Sequence, residues 1–322
     1  GRLEGATPDQ AIFVFDEPTG SLDNTARNTF LSLLFDRYRR RHSTMLLITH
    51  DYSMISEIGR SHPDLLEHIS FQELRRRDSA GEVELRSFAT GTYTGWLSGR
   101  SARTAGEIRT GEPVLRVESS MEIFGRTLTL ARDQEGRIPS ALELFPGTMA
   151  YLKAPSGVGK TTVMKVLMGL NRAGRFRMHM RGLAVDEETG MDVWRRQLWG
   201  RRMTMVFQHA DEALNPRSIV REIFDWLPGL EDTGIAGVKR RIEEIFEGEI
   251  TGTFLGKAVS MLSGGQKQRL NLARGLALQT EVLLLDEPLN GLDFESTMRV
   301  IALLERKLAT GIGILMVSHN EE

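Results

Sequence analysis

One stretch of the chain combines glycine, lysine and hydroxyl residues in an order suited to phosphate chemistry. It reads Ala154-Pro155-Ser156-Gly157-Val158-Gly159-Lys160-Thr161-Thr162. An apolar run precedes it and a helix-forming run follows it, which predicts a strand, a glycine-rich turn and a helix. Backbone N–H groups of such a turn surround a phosphate, Lys160 can reach the β- and γ-phosphates of a nucleotide, and the Thr161 hydroxyl can hold Mg²⁺. The alternative is an ordinary strand-to-helix turn, and Ala154 stands where this pattern has a glycine.

Two carboxylates follow an apolar run later in the chain. Residues 282–285 are Val-Leu-Leu-Leu, and Asp286 and Glu287 come next. A carboxylate at the end of a buried strand is costly unless it faces a cation, and Mg²⁺ opposite Thr161 would be that cation. Glu287 is then the group expected to orient and deprotonate an attacking water. The alternative is a strand-end pair that only makes caps and turns.

Three further side chains are candidates for the same site. Gln208 follows the apolar run 202–207 and can contact Mg²⁺ and water through its amide. His319 follows the apolar run 312–317 and can hydrogen-bond the γ-phosphate and Glu287, although a packed structural histidine is the alternative. Phe124 lies upstream of the glycine-rich turn and either stacks on a nucleotide base or belongs to the core.

A second glycine-rich segment repeats the anion-binding chemistry. It reads Leu262-Ser263-Gly264-Gly265-Gln266 and opens a predicted helix. Its backbone N–H groups and serine hydroxyl are expected to face outward and to take a phosphate. Because one such domain binds one nucleotide, this segment is expected to serve a nucleotide held by another domain.

Part of the chain occurs twice. The pair Asp16-Glu17 recurs as Asp286-Glu287, Asp23 as Asp293, and His50 as His319, each about 270 residues later. A period this long corresponds to a whole domain, so two homologous domains are predicted. We expect residues 1–96 to be the C-terminal part of the first domain, residues 97–112 a linker, and residues 113–322 a second domain without its C-terminal tail. The glycine-rich turn of the first domain would lie before residue 1, which predicts that the chain is a fragment.

Composition narrows the classes of function. The net charge is −2, so the chain as a whole makes no electrostatic case for binding nucleic acid or an anionic membrane. The sequence has no cysteine, which excludes disulfide frameworks, cysteine zinc sites and thiolate chemistry within it. Its apolar runs are shorter than the roughly 18 residues of a membrane span.

Hydrophobic periodicity predicts the elements that position these residues. Residues 11–15 and 45–49 are expected to be strands buried on both faces, and residues 24–41 a helix. Strands are also predicted at 68–75, 83–88, 114–119, 127–131, 202–207, 282–285 and 312–317. Residues 216–247 are predicted to be mostly helical, and a helix is predicted over 267–278.

Taken together, these residues resemble the ATP-binding-cassette ATPases. In that resemblance Lys160 and Thr161 match the Walker A motif, Gln208 the Q-loop, Ser263 to Gln266 the signature motif, Asp286 and Glu287 Walker B, Asp293 the D-loop and His319 the switch histidine. Residues 113–322 carry this full ordered set. Residues 11–50 match only Walker B (Asp16, Glu17), the D-loop (Asp23) and the switch (His50).

The resemblance implies an α/β fold: a P-loop NTPase core of mostly parallel sheet flanked by helices, with an antiparallel β subdomain and a helical signature subdomain. It implies ATP and Mg²⁺ as cofactors, with Thr161, Gln208 and Asp286 at the metal, and ATP hydrolysis coupled to transport. Each ATP would lie between the Walker A motif of one domain and the signature of its partner. The implied partners are a second nucleotide-binding domain, in the same polypeptide or a second copy, and transmembrane permease subunits, with no nucleic acid. The implied location is the cytoplasmic face of the cell membrane.

One segment carries a finer resemblance. Residues 205–208, Met-Val-Phe-Gln, followed by residues 213–217, Ala-Leu-Asn-Pro-Arg, resemble the importer ATPases for oligopeptides, dipeptides and nickel. The alternative is a soluble tandem cassette ATPase of a ribosome-associated, carbon–phosphorus lyase-like or reductase-activating assembly. The cargo would be selected by partner subunits.

Overall fold

The computed structural model describes residues 12–19, 22–76, 83–100, 111–129, 141–153, 158–246 and 250–318. Within it the chain divides into two compact units. Unit 1 comprises residues 1–107 with 319–322, and unit 2 comprises residues 108–318. Among the described residues, no helix combines the length and the apolar character needed to cross a bilayer.

Unit 1 contains a parallel strand pair, a hairpin and three α-helices. In chain order these are β1 (Phe13–Asp16), α1 (Asn24–Arg41), β2 (Met45–Ile48), α2 (Ser53–Ser61), a 3₁₀ turn (Pro63–His68), β3 (Gln72–Arg76), β4 (Val83–Ser87) and α3 (Thr90–Arg100). Strand β1 pairs with β2 in parallel, and β3 pairs with β4 in an antiparallel hairpin. Helix α1 agrees with the prediction for residues 24–41, whereas α3 occupies the first residues of the predicted linker.

The strands β1 and β2 bury only one face. Leu47 on that face packs against a core that α1 and α2 supply, with Leu31, Phe35, Met54 and Ile58 at its centre. The opposite face is open: Val14 is 61% exposed and Leu46 is 52% exposed. The prediction that both strands are buried on both faces was therefore wrong, because the described part of unit 1 has a helical layer on one side only.

Unit 2 contains two four-stranded sheets and a hairpin. Its strands are β5 (Leu115–Glu118), β6 (Ser120–Ile123), β7 (Arg126–Thr129), β8 (Ala141–Leu144), β9 (Met149–Tyr151), β10 (Arg177–Met180), β11 (Leu183–Asp186), β12 (Met203–Val206), β13 (Val282–Asp286) and β14 (Gly313–Val317). One sheet is antiparallel, in the order β11-β10-β5-β8, and the other is parallel, in the order β12-β13-β14-β9. Strands β6 and β7 form the hairpin.

Helices cover the parallel sheet and build a separate helical region. They are α4 (Lys160–Leu167), α5 (Met191–Val193) continuing into one π-helical turn (Trp194–Leu198), α6 (Ile235–Glu243), α7 (Gly252–Leu255), α8 (Gly264–Ala277) and α9 (Phe294–Ala309), with 3₁₀ turns at Ala210–Glu212, Val220–Phe224 and Val259–Met261. The prediction that residues 216–247 are mostly helical was wrong. Only a 3₁₀ turn and α6 lie in that span, because Pro216, Pro228 and Gly229 interrupt regular helix.

Two apolar clusters hold unit 2 together. In one, α4 packs Met164 and Leu167 against Leu284 of β13 and Leu315 of β14, and the antiparallel sheet adds its buried residues. In the other, α8 and α9 pack against the same two strands, which contribute residues such as Leu285 of β13. All five residues of β13 are buried, so this strand is central to the unit. The observed fold is an α/β P-loop NTPase fold with parallel and antiparallel sheets, in agreement with the fold class expected from the sequence.

Candidate functional site

The carboxyl ends of the parallel strands gather the candidate residues at one edge of the sheet. Gln208 follows β12 by two residues, Asp286 ends β13, and β9 leads into the segment that precedes α4. Val206 of β12 pairs with Leu285 of β13, and Gln208 and Glu287 each follow this pair by two residues along their own segment. Ligands of open α/β sheets bind at this edge. The sequence prediction that these side chains form one site is therefore consistent with the topology.

The start of α4 has the backbone geometry of an anion-binding turn. Gly159 has φ +101°, a conformation that favours glycine, and Lys160 is the first residue of the helix. Lys160 is 8% exposed, whereas Val158 is 57% exposed. Thr161 and Thr162 follow on the first turn of the helix. The predicted phosphate contacts at Ser156 and Gly157 lie outside the described residues.

Asp286 is the most telling residue at this edge. It is 1% exposed, and neither of its carboxyl oxygens has a hydrogen-bond partner in the described part of the chain. Burial raises the pKa of Asp286, while the Thr161 hydroxyl and the charges of Lys165 and Lys160 act to lower it. A buried carboxylate with orphaned oxygens, next to a threonine hydroxyl, fits the oxygen ligands that Mg²⁺ prefers.

Glu287 occupies a strained backbone position directly after β13. Its φ is +48°, and its backbone N–H donates to the carbonyl of Val317 at 2.9 Å. A bulky residue in the left-handed region costs of order 1–3 kcal/mol, and such positions concentrate at functional sites. The residue is 6% exposed, so the turn directs it inward rather than into solvent.

Two ion pairs next to Gln208 were not foreseen from the sequence. Glu212 pairs with Lys165 of α4 at 2.6 Å, and Asp211 pairs with Lys267 of α8 at 2.8 Å. The segment after Gln208 therefore contacts both the phosphate-turn helix and the helix of the second glycine-rich segment. Two acidic residues three and four positions after Gln208 were the only sequence signal.

The second glycine-rich segment forms the N-terminus of α8. Ser263 is its N-cap: the Ser263 hydroxyl accepts from the Gln266 N–H at 3.3 Å, and the Gln266 side chain accepts from the Ser263 N–H at 3.0 Å. This capping box was not foreseen, although Ser-x-x-Gln is its signature. Within the described residues, the N–H groups of Gly264 and Gly265 donate no hydrogen bond, and Ser263 and Gly264 are exposed. The helix end thus presents two donors and a hydroxyl to solvent, as an anion site requires.

Asp293 makes structural contacts at the start of α9. It caps α9 by accepting from the Ser296 N–H at 2.7 Å, and it pairs with Arg269 of α8 at 2.9 Å. The predicted D-loop aspartate therefore ties the start of α9 to the signature helix. His319, the predicted switch histidine, lies outside the described residues.

Phe124 lies at the tip of the hairpin between β6 and β7. It is 79% exposed and has φ +50°. The alternative that Phe124 is a core residue was wrong, because a two-residue turn projects its side chain away from the packed sheet. Stacking on a nucleotide base stays a prediction.

Unit 1 repeats the local geometry of unit 2. Glu17 has φ +45°, and its N–H donates to the carbonyl of Ile48 at 2.9 Å, as Glu287 does to Val317. Asp23 caps α1 through the Ala26 N–H at 2.9 Å. His50 Nδ1 lies 2.8 Å from the Glu17 carboxylate. Asp16 ends β1 as Asp286 ends β13, but Asp16 is exposed.

Comparison with known proteins points to one family. The family described as ABC transporter matches residues 139–290. The nickel import ATP-binding protein LarO of Lactiplantibacillus plantarum is 34% identical over 182 residues, which are 56% of this chain and 74% of that protein. The sulfate/thiosulfate import ATP-binding protein CysA of Photorhabdus laumondii is 33% identical over 58% of this chain and 48% of its own length.

A longer alignment and a solved structure add to this. A Methanosarcina acetivorans protein, whose name assigns it provisionally to the ABC transporter ATP-binding proteins, is 28% identical over 97% of this chain and 56% of its own length. The chain thus spans about three quarters of LarO but about half of the other two proteins. The dimeric post-hydrolysis structure of the ATP-binding cassette MJ0796, bound to ADP and Pi, has a TM-score of 0.52 at 20% identity, over 64% of this chain and 88% of that one. The structural likeness concerns the fold.

Proposed function

The chain belongs to the ABC transporter ATP-binding family, whose members bind ATP with Mg²⁺ and hydrolyse it, and on this premise we propose that it is the ATP-hydrolysing component of an importer. The observation that carries the proposal is Asp286. Its orphaned carboxylate lies at the carboxyl edge of the sheet, next to the helix that Lys160 and Thr161 begin. When bound there, Mg²⁺ would neutralise phosphate charge, with Thr161, Asp286 and Gln208 as the residues that hold it.

The remaining residues of the edge have separate tasks in this proposal. Lys160 and the N–H groups around Gly159 bind phosphate, together with Ser156, Gly157 and Val158. Glu287 takes the proton of the attacking water, and its strained backbone fixes where that carboxylate points. His319 orients the same water or the γ-phosphate. Phe124 provides an exposed aromatic face for the adenine ring.

We propose that a complete site needs two cassettes. The N-terminus of α8 presents two unbonded N–H groups and the Ser263 hydroxyl to solvent, so its anion would be the γ-phosphate held by a second domain. The second domain is either another copy of this chain or a first cassette in the same polypeptide. The ion pairs of Asp211 and Glu212 link this helix to α4, which suits a device that responds to the nucleotide.

The proposal of tandem cassettes rests on the repeat. Glu17 and Glu287 share a left-handed φ and the same N–H contact to the neighbouring strand, and Asp23 and Asp293 each cap the following helix. We propose that residues 1–96 are the C-terminal part of a first cassette, residues 97–112 a linker, and residues 113–322 a second cassette. The alignment of the Methanosarcina protein with 97% of the chain supports this organisation.

Import is favoured over a non-transport assembly because the named relatives with a cargo act in import. We propose transmembrane permease partners and a position at the cytoplasmic face of the membrane. The nickel relative and the residues 205–217 support a cargo of the nickel or peptide class.

The proposal is tested by ATP turnover of Glu287→Gln. We expect unchanged MgATP affinity and a loss of roughly 10²–10⁴-fold in hydrolysis, the range for a general base. Lys160→Ala alone should lose most MgATP affinity, and Ser263→Arg alone should keep it but lose turnover. Unchanged turnover in Glu287→Gln would assign the base to another group, and equal MgATP affinity in Lys160→Ala would refute the nucleotide site itself.

A further inference from the structure

The hairpin of unit 1 has an apolar face and an open strand edge. Strand β4 pairs with β3 and with no other strand of the described residues. Leu74 of β3 lies opposite Leu85 of β4, and Val83 lies two positions from Leu85, so the three side chains share one face. They are 69%, 63% and 63% exposed, in that order. A two-stranded hairpin is marginally stable by itself, and an open edge is a template for a further strand.

The backbone groups of β4 that point away from β3 follow from the ladder. The Phe88 N–H donates to the Phe71 carbonyl at 2.9 Å, so these two residues form a hydrogen-bonded pair. Hydrogen-bonded and non-hydrogen-bonded pairs alternate along an antiparallel ladder. The register therefore makes Ser87, Leu85 and Val83 non-hydrogen-bonded toward β3, and their N–H and C=O groups point to the open edge. An added strand would find a donor and an acceptor at each of these residues.

The charges of β4 are complementary to those of a second β4. The strand reads Val-Glu-Leu-Arg-Ser, and Glu84 pairs with Arg86 of its own strand at 2.9 Å. When the strand is turned antiparallel to itself about Leu85, Glu84 lies opposite Arg86 of the other copy and Arg86 lies opposite Glu84. The hairpin already uses this register, because residues 73–75 of β3 are also Glu-Leu-Arg and pair antiparallel with residues 84–86. A parallel arrangement would instead place equal charges opposite each other.

We propose that β4 pairs with β4 of a second copy of this chain, antiparallel and about a twofold axis at Leu85. Two hairpins then form one four-stranded sheet with an isologous interface. Leu85 exchanges both hydrogen bonds with its counterpart, and Val83 does so with Ser87 of the second copy, so the outward-pointing backbone groups of β4 are paired. Leu74 and Leu85 of both copies form one apolar row across the sheet, in which each leucine packs against its neighbours.

This interface goes beyond the proposed function. It lies on the hairpin of unit 1, outside the residues proposed to bind nucleotide, and it requires neither ATP nor a permease. The pairing of two cassettes around a nucleotide and the pairing of two hairpins are therefore separable. We expect the hairpin dimer in the absence of nucleotide, and Ser263→Arg, which changes the proposed nucleotide interface, should leave it intact.

The test is sedimentation velocity of the full chain without nucleotide, at roughly 1–100 μM protein, the range in which small interfaces associate. We expect the parent to show a monomer–dimer equilibrium. Glu84→Arg alone and Arg86→Glu alone each place like charges opposite each other at two symmetric positions of the dimer. An opposite-charge pair across two strands contributes a factor of roughly 1.5–5, and a like-charge pair costs about as much, so each variant should raise the dimer Kd roughly 30-fold.

An equimolar mixture of these two variants gives the sharpest measurement. In a mixed dimer, the Glu84→Arg strand again lies opposite charges of the other sign on the Arg86→Glu strand. The mixture should therefore form a heterodimer with about the parent's Kd. This recovery would also show that both variants keep the hairpin folded, since only a formed edge can pair. A mixture that stays monomeric overturns the proposed register.

Ser87→Pro tests the backbone without changing a charge. Proline removes an N–H that points to the open edge and leaves the hydrogen bonds to β3 in place, so the dimer should weaken while the melting temperature stays near the parent's. Arg217→Glu is the matched control, because it reverses an exposed arginine outside the hairpin and should leave the dimer Kd unchanged. The proposal is overturned by a parent that stays monomeric over the whole range, by a dimer that the hairpin variants do not weaken, or by an equal loss in the control.

Discussion

Replacing Asp286 with asparagine should stabilise the nucleotide-free protein. The wild-type carboxylate is 1% exposed, and the nearby Thr161 hydroxyl and the charges of Lys165 and Lys160 offset only part of its desolvation, since burial still raises its pKa. A buried unsatisfied polar group costs about 1–3 kcal/mol, and more when charged. Its raised pKa has the same origin, since burial disfavours the charged form. Asparagine keeps the shape and removes the charge.

The expected shift can be stated as a melting temperature. For a unit of this size each kcal/mol corresponds to about 2–4 °C, so Asp286→Asn should melt roughly 2–12 °C higher than the parent without Mg²⁺ and ATP. Saturating MgATP should reverse the order. The parent gains about 2.7 kcal/mol at a ligand concentration 100 times its Kd, whereas the variant lacks the carboxylate that would hold the metal.

The assay is thermal unfolding of the full chain with and without MgATP. The transition that MgATP moves in the parent identifies unit 2. Asp293→Asn is the control: asparagine also caps helices well, and the substitution changes the partly exposed pair with Arg269, worth about 0–1 kcal/mol, and the Ser296 hydroxyl contact to the same oxygen. A lower melting temperature for nucleotide-free Asp286→Asn would refute the reasoning, because the carboxylate would then have a stabilising partner in the apo protein.

Two further substitutions test the site and its support. Phe124→Ala should weaken ATP binding by about 1–3 kcal/mol, the value of stacking on a base, and should leave stability unchanged because the side chain is 79% exposed. Titration calorimetry measures the affinity and thermal unfolding measures the stability. Unchanged affinity would remove Phe124 from the site. Gly169→Ala should lower the free energy of unfolding, measured with denaturant, by about 1–3 kcal/mol more than Gly182→Ala. Both glycines have positive φ, but only at Gly169 would the new methyl group meet the Trp194 indole. Equal losses in the two variants would mean that the indole moves aside at no cost.

The sequence predicted the positions of strands better than it predicted which of their faces are buried. The continuous apolar runs 282–285 and 312–317 predict buried parallel strands, and β13 and β14 lie there. The same pattern at β1 and β2 predicted burial on both faces, yet Val14 and Leu46 are exposed. An apolar sequence pattern shows that a strand can be buried, whereas its actual burial depends on which layers pack against it.

Residue types in the sequence indicate phosphate chemistry at this site, whereas the ion pairs beside it could not be predicted. Glycine, lysine and threonine in sequence indicate a phosphate turn because few other uses need that order. The pairs of Glu212 with Lys165 and of Asp211 with Lys267 join residues 47 and 56 positions apart, so no local sequence pattern predicts them. The wrong prediction of helix over residues 216–247 has a local cause, since the prolines and glycines within this span interrupt regular helix.

The two copies of the Asp-Glu turn separate what local sequence determines from what packing determines. Glu17 and Glu287 have φ values of +45° and +48°, and each donates its N–H at 2.9 Å to the last residue of the adjacent strand. Yet Asp16 is exposed, whereas Asp286 is almost fully buried. The backbone turn therefore forms whether or not a helix covers the strand, and it arises from the strand pair and the turn sequence. The desolvated carboxylate arises only where α4 covers β13. We infer that the strained turn supplies the direction of the glutamate, and that the covering helix supplies the unsatisfied charge that makes the edge of unit 2 a cation site.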